Sequence, residues 1–331
     1  MRTVGVEEEL LLVDAGSGDP RALSTAVLAL AERRAEGDSV FESELHDQQA
    51  GAAVAALATS PLPVSPAIGE DERYRWLARR FGLTAQEQLT CGCHVHVSVE
   101  SDEEGVAVLD RVRPWLPVLL ALSGNSPFWQ GQDTSYDSYR SRVWGRWPSA
   151  GPVELFGSAE RYHQQVEALI GTGVLRDKGM IYFDARLSHR YPTVEFRVAD
   201  VCLDPADTVL LATLARGLVE TAARDWRAGG RPDPVTAGVL RMADWQAARS
   251  GMEGRLIHPR TGRPEPAADV AHALLDHVRE ALEGSGDLAS AQAALRTLLE
   301  RGTGARIQRE LLADSDSLRT VVTECAARTR G

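Results

Sequence analysis

The sequence predicts an α+β protein: an antiparallel β-sheet with a concave polar face, helices on its other face, and a helical C-terminal third. Strand-like runs come first. Thr3–Val13, Ser39–His46, Thr90–Val99 and Thr193–Val201 occupy much of the first two hundred residues, with helical stretches between them. Those four runs each aim pairs of charged or imidazole side chains at one face, and the last third changes to helical periodicity.

The helical part opens clearly. Asp204 supplies an N-cap, Pro205 takes the first helical position and Asp207 adds an acid to the first turn, which starts a long helix through about Trp226. Further helices are predicted at roughly Ala267–Glu283, Leu288–Arg301 and Ile307–Arg328. Arg227–Pro234 has linker composition, but the helices beyond it are amphipathic and need a surface to cover. One domain over residues 1–331 is therefore expected, with no internal repeat.

The 331 residues carry 47 acidic and 36 basic side chains, and the basic residues are scattered rather than gathered in a stripe. Nucleic acid is not an expected partner. No apolar run approaches a membrane span, and the opening MRTVGVEEELLLVD lacks the basic-then-apolar order of a signal peptide, so a cytoplasmic protein is expected. Cys91, Cys93, Cys202 and Cys325 include no CxxC pair and read as reduced thiols.

In a strand, residues i and i+2 share a face. That pairs Glu7 with Glu9, Glu42 with Glu44 and His46, His94 with His96, and Glu195 with Arg197. Behind the last two pairs lie Cys93, Val95 and Val97, then Val194, Phe196 and Val198. Carboxylates plus an imidazole on one face suit a hard divalent cation such as Mg2+ or Mn2+. The plainer alternative is a solvated face, which more usually carries Lys and Thr. CGCHVH also invites a zinc site, but alternation sends the cysteines one way and the histidines the other.

These motifs resemble a known superfamily. Gly92-Cys93-His94-Val95-His96 is similar to the Gly-x-His-x-His strand of glutamine synthetases, Val194–Asp200 to their Glu-x-Arg-x-x-Asp strand, and Glu7-Glu8-Glu9 to their first strand. Within it, VGVEEELLLVD, Ser123–Gly131, TVEFRVAD and Gly251-Met252-Glu253-Gly254 resemble, in order and over nearly the whole chain, the glutamate–cysteine ligase type 2, or YbdK-type carboxylate–amine ligase, family. The resemblance implies a glutamine synthetase/guanido kinase-like fold. It implies ATP and Mg2+ or Mn2+ as cofactors, and a small-molecule carboxylate (glutamate by default) and an amine as substrates, joined through an acyl phosphate. It assigns Glu7, Glu9, Glu44, His94 and Glu195 to metal, His96 to the ATP phosphates, and Arg197, Arg140 and Arg142 to phosphoryl or carboxylate charge, a task that suits the planar guanidinium fork. A homodimer is an open alternative to a monomer.

Two departures stand out. After Gln49 the family continues with another Glu and a helix, whereas here Gln49 runs into Ala50-Gly51-Ala52-Ala53, so either the element is lost in this protein or the sequence as given lacks a segment between 49 and 50. The family's Gly-Thr-His-Pro is Ala58-Thr59-Ser60-Pro61. A catalytically silent relative, a phosphagen-kinase-type phosphotransferase and a metal-dependent hydrolase are the competing readings.

Overall fold

A computed structural model of the chain describes residues 1–20, 52–65, 69 and 71–330. The expected strand Ser39–His46, with Glu42, Glu44 and His46, lies outside the described residues, as does the junction of Gln49 with Ala50.

The chain starts with β1 (Val4–Glu8) and β2 (Leu11–Asp14). One run was expected from Thr3 to Val13, yet it divides at Glu9-Leu10, because the two halves serve different sheets. β2 pairs with β3 (Ala52–Ala55), and its Leu11 and Val13 are buried with Leu57, Val321 and Cys325. β1 pairs instead with β4 (Cys93–Ser98). The short hairpin of β5 (Phe128–Trp129) and β6 (Gln132–Asp133) follows, then β7 (Ala185–Leu187) and β8 (Thr193–Phe196). The main sheet has the order β1-β4-β8-β7, antiparallel at every junction.

Alternation sorts its faces as the sequence predicts. Cys93, Val95, Val97, Val194, Phe196 and Val198 all enter one hydrophobic cluster. Fully burying each of the aliphatic or aromatic side chains is worth about 1.5–3 kcal/mol. The cover on this side is the helix Asp102–Val112, capped by Ser101, together with the long helix Pro205–Arg227. Gly105 permits the close approach, since a Cβ there would sit 2.5 Å from Leu187 Cδ2.

Asp204 caps the long helix as predicted, accepting from the Ala206 amide. Leu288–Arg301 is one helix, but the other two expected helices each split. Ala267–His277 and Arg279–Ser285 are offset at Val278; Gly304–Ser315 ends at Asp316, which adopts φ 52°, before Leu318–Arg330. A non-glycine residue in the left-handed region ends a helix without any change in hydrophobic periodicity, so the break is hard to see in sequence. The linker-like segment after Arg227 is held to the body, where Asp233 O accepts from Arg113 Nη2 at 3.4 Å. No helix among the described residues is long and apolar enough to cross a membrane.

Candidate active site

The face of the main sheet opposite the helices is organised in cross-strand rows. Register places Gly5, His96, Glu195 and Arg186 in one row, and Glu7 opposite His94 in the next. Arg197 continues that second row, donating its amide to Asp184 O at 2.8 Å. Directly opposed side chains on one face have Cβ atoms only about 5 Å apart, so these rows force the polar groups together.

The contacts follow. His96 Nε2 lies 3.2 Å from Glu7 Oε1, His94 Nδ1 3.4 Å from Glu7 Oε2, and His94 Nε2 3.9 Å from Glu9 Oε1. The Glu7–His96 approach lacks hydrogen-bond alignment, and among the described residues Nε2 of both histidines is buried without a hydrogen-bond partner. Glu7, His96 and Glu195 each offer one ligand atom within 4.8 Å of the others. An orphaned imidazole nitrogen between two carboxylates fits a divalent cation.

The sequence expectation placed His94 among the metal ligands and His96 toward phosphate; the geometry instead gathers His96 with Glu7 and Glu195. His94 Nδ1 lies between Glu7 Oε2, at 3.4 Å, and Arg197 Nη1, at 3.5 Å. Glu9 spends one oxygen on the Gly92 amide, at 2.6 Å. Glu44 lies outside the described residues.

Electrostatics fixes the charge states. Burial, then Arg197, pushes the His94 pKa down, leaving a neutral ring. Glu7 is held below the ordinary carboxylate range by His94 first and His96 second. For Glu195, burial pulls upward but is outweighed by Arg197 and Arg186, which hold it at about 2. Arg186 grips that carboxylate through both nitrogens of its fork, Nε to Oε2 at 2.7 Å and Nη2 to Oε1 at 3.1 Å, and Arg197 Nη1 also donates to Oε1.

Arg140 was expected from the resemblance as a charge-stabilising group. It is fully buried, with Nη1 and Nη2 each 3.4 Å from the carbonyls of Val198 and Arg197, and 3.9 Å from Asp200. The guanidinium lies over Gly92, where a Cβ would meet Nη2 at 2.2 Å. Asp200 in turn accepts from Ser126 Oγ at 2.7 Å and Ser138 Oγ at 2.8 Å, which fastens the Ser123–Gly131 segment to this strand. Arg142 is half-buried; its field acts on the carboxyls of Asp184 and Asp244. Arg197 and Arg140 both lie against the Trp144 ring, at 5.7 and 5.6 Å.

Arg186, Asp184, Asp244 and Trp144 were not expected from sequence. The same i, i+2 rule finds the first two in Phe183-Asp184-Ala185-Arg186, but that strand is three residues long and gives almost no alternation to see. Asp244 comes from the helix Ala237–Ser250, where a lone buried acid has no sequence signal.

Cys93 faces the hydrophobic cluster while His94 and His96 face Glu7, so these residues cannot meet at one ion.

The solved glutamate–cysteine ligase of Francisella tularensis in complex with AMP superposes with a TM-score of 0.66 over 99% of this chain and 88% of that one, at 14% identity. Residues 47–324 match the Glutamate-cysteine ligase family 2, and the chain belongs to that family of enzymes. A Streptomyces avermitilis relative, provisionally named glutamate–cysteine ligase 2-1, is 62% identical over 362 aligned positions that span all of both chains. A Streptomyces coelicolor relative, provisionally named glutamate–cysteine ligase 2, is 58% identical over 361 positions covering 100% of this chain and 99% of its own. The first alignment is 31 positions longer than the 331 residues of this chain.

Proposed function

We propose that the chain is an ATP-dependent carboxylate–amine ligase, taking glutamate as its default acid and forming an amide through an acyl phosphate. The observation that carries this reading is the grouping of Glu7, His96 and Glu195 within 4.8 Å on the sheet face that also bears Arg197. The Francisella enzyme of the same fold holds AMP, which supports adenine nucleotide as the energy source.

A divalent cation, Mg2+ or Mn2+, held by Glu7, Glu195 and His96 would neutralise phosphate charge and fix the nucleotide. The protein's own groups do the rest. Arg197, backed by the Trp144 and Tyr182 rings, is placed to meet the oxygens of the transferring group. His94, kept neutral, holds the Glu7 carboxylate in line without adding a competing positive charge. Arg140 positions Arg197 from behind through its carbonyl. Arg142 acts on Asp184 and Asp244, behind the Arg197 strand rather than in the phosphate path.

The extra 31 positions of the Streptomyces avermitilis alignment are assigned in this reading to the junction of Gln49 with Ala50, where the family's further carboxylate has no counterpart. Turnover by this chain would show that the remaining carboxylates suffice. Incubation with ATP, Mg2+, glutamate and a panel of amines tests the proposal. Stoichiometric ADP and amide are expected; phosphorylated substrate without amide would indicate a kinase, ATP-independent cleavage a hydrolase, and nucleotide binding without products a silent relative.

A further inference from the structure

Glu195 is gripped by two arginines at once, and the two are anchored differently. Arg186 is 7% exposed, and its third guanidinium nitrogen is held on fixed backbone: Nη1 bonds Ile181 O at 2.7 Å and approaches Gly179 O at 3.4 Å. With Nε and Nη2 on the two Glu195 oxygens, each of its three nitrogens is engaged, and turning away would break the backbone bonds as well. Among the described residues Arg197 has no such tether, and its Nε is buried without a partner. Its Nη1 touches Glu195 Oε1 and lies 3.5 Å from His94, and its guanidinium lies against the Trp144 and Tyr182 rings.

From this asymmetry we infer that Arg186 is the positioning residue that holds Glu195 in its ligand orientation, and that Arg197 occupies the same carboxylate only provisionally, leaving it when a cation is bound. The inference rests on the reading of Glu195 as a metal ligand. A cation ligated by Glu195 needs a lone pair that Arg197 Nη1 covers. The tethered partner cannot yield, whereas the ring faces let the other guanidinium slide while staying packed. Loading the site and freeing Arg197 for the substrate anion are then one event, with Arg186 keeping the carboxylate from following Arg197 as it moves. Partners that orient a metal ligand typically carry about 10–100-fold in metal affinity.

Arg186→Lys isolates orientation from charge, because lysine keeps the positive charge and loses the bidentate fork. Mn2+ binding is read from the loss of its free-ion EPR signal, with and without a non-hydrolysable ATP analogue, on proteins whose fold is checked by circular dichroism. The account predicts Mn2+ affinity about 10-fold weaker in Arg186→Lys, with turnover recovered at saturating Mn2+, a rescue that a merely structural lesion would not show. It predicts that Arg197→Gln binds Mn2+ at least as tightly as wild type while turnover collapses. Unchanged Mn2+ affinity in Arg186→Lys overturns the inference, and so does an equal weakening in Arg197→Gln; the second variant decides if the first does not fold. Wild-type protein that binds no Mn2+ even with the nucleotide analogue would instead remove the metal reading on which it rests.

Discussion

Replacing Gly92 with alanine should damage the site from beneath, through Arg140. The added Cβ would lie 2.2 Å from Arg140 Nη2, 2.8 Å from Cζ and 3.1 Å from Nε. Ordinary contact begins near about 3.4 Å, so the guanidinium must retreat by roughly 1 Å. Arg140 is 1% exposed, so the retreat is into packed interior. Retreat strains its 3.4 Å contacts with the Val198 and Arg197 carbonyls and widens the 3.9 Å approach to Asp200. Overpacking typically costs about 1–3 kcal/mol, and loosening a buried charge from its partner adds to it, so a loss of about 3 kcal/mol is expected. Chemical denaturation of wild type, Gly92→Ala, Arg140→Ala and the double variant measures it. In the Arg140→Ala background the glycine substitution should cost less than about 1 kcal/mol, giving a coupling above about 2 kcal/mol. Equal costs in both backgrounds would refute the idea that the glycine exists to admit Arg140.

Other consequences can be read from the same face. Glu7 is half-exposed, so Glu7→Gln should abolish ADP formation with little change in unfolding free energy, whereas Glu195→Gln should lose activity and also melt several degrees lower, since it leaves buried Arg186 and Arg197 without their carboxylate; a Glu195→Gln protein as stable as wild type would contradict the buried pairing. Asp184 is raised to about 6 by burial, and Asp244 is raised by burial and by Asp184. Between pH 4 and pH 6 this pair therefore binds more protons in the folded protein than in the unfolded chain, and its contribution to stability should fall as pH rises through that window. Asp244→Asn, whose amide can donate to Asp184, should flatten that fall and stabilise the protein at pH 7 by about 2 kcal/mol; denaturation curves at pH 4, 5, 6 and 7 check it, and a steeper fall in the variant would refute it.

The i, i+2 rule found most of the described polar face because three strands of an antiparallel sheet translate sequence spacing directly into facing. Glu7, His94, His96, Glu195 and Arg197 were legible for that reason, and Cys93 was correctly sent to the other side. What spacing cannot supply is register. Register sets Glu195 opposite His96 and Arg186, which is why His96 rather than His94 joins the two carboxylates. Arg140 was legible as a residue but not in its depth, because burial over Gly92 brings the short helix Arg140–Trp144 against the start of a strand distant in sequence. Helix ends at Val278 and Asp316 were missed because local backbone conformation, not hydrophobic periodicity, makes those breaks.

The central claim is carboxylate activation on this sheet face, and isotope transfer tests it most directly. The enzyme is incubated with ATP, Mg2+, an accepted amine and glutamate labelled with 18O in its carboxylates, and the released phosphate is analysed by 31P NMR. An acyl phosphate requires one labelled oxygen to pass from the acid to each phosphate released, in step with amide and ADP. Phosphate free of label, formed while ADP accumulates, would mean that water rather than the carboxylate attacks ATP, and would contradict the account.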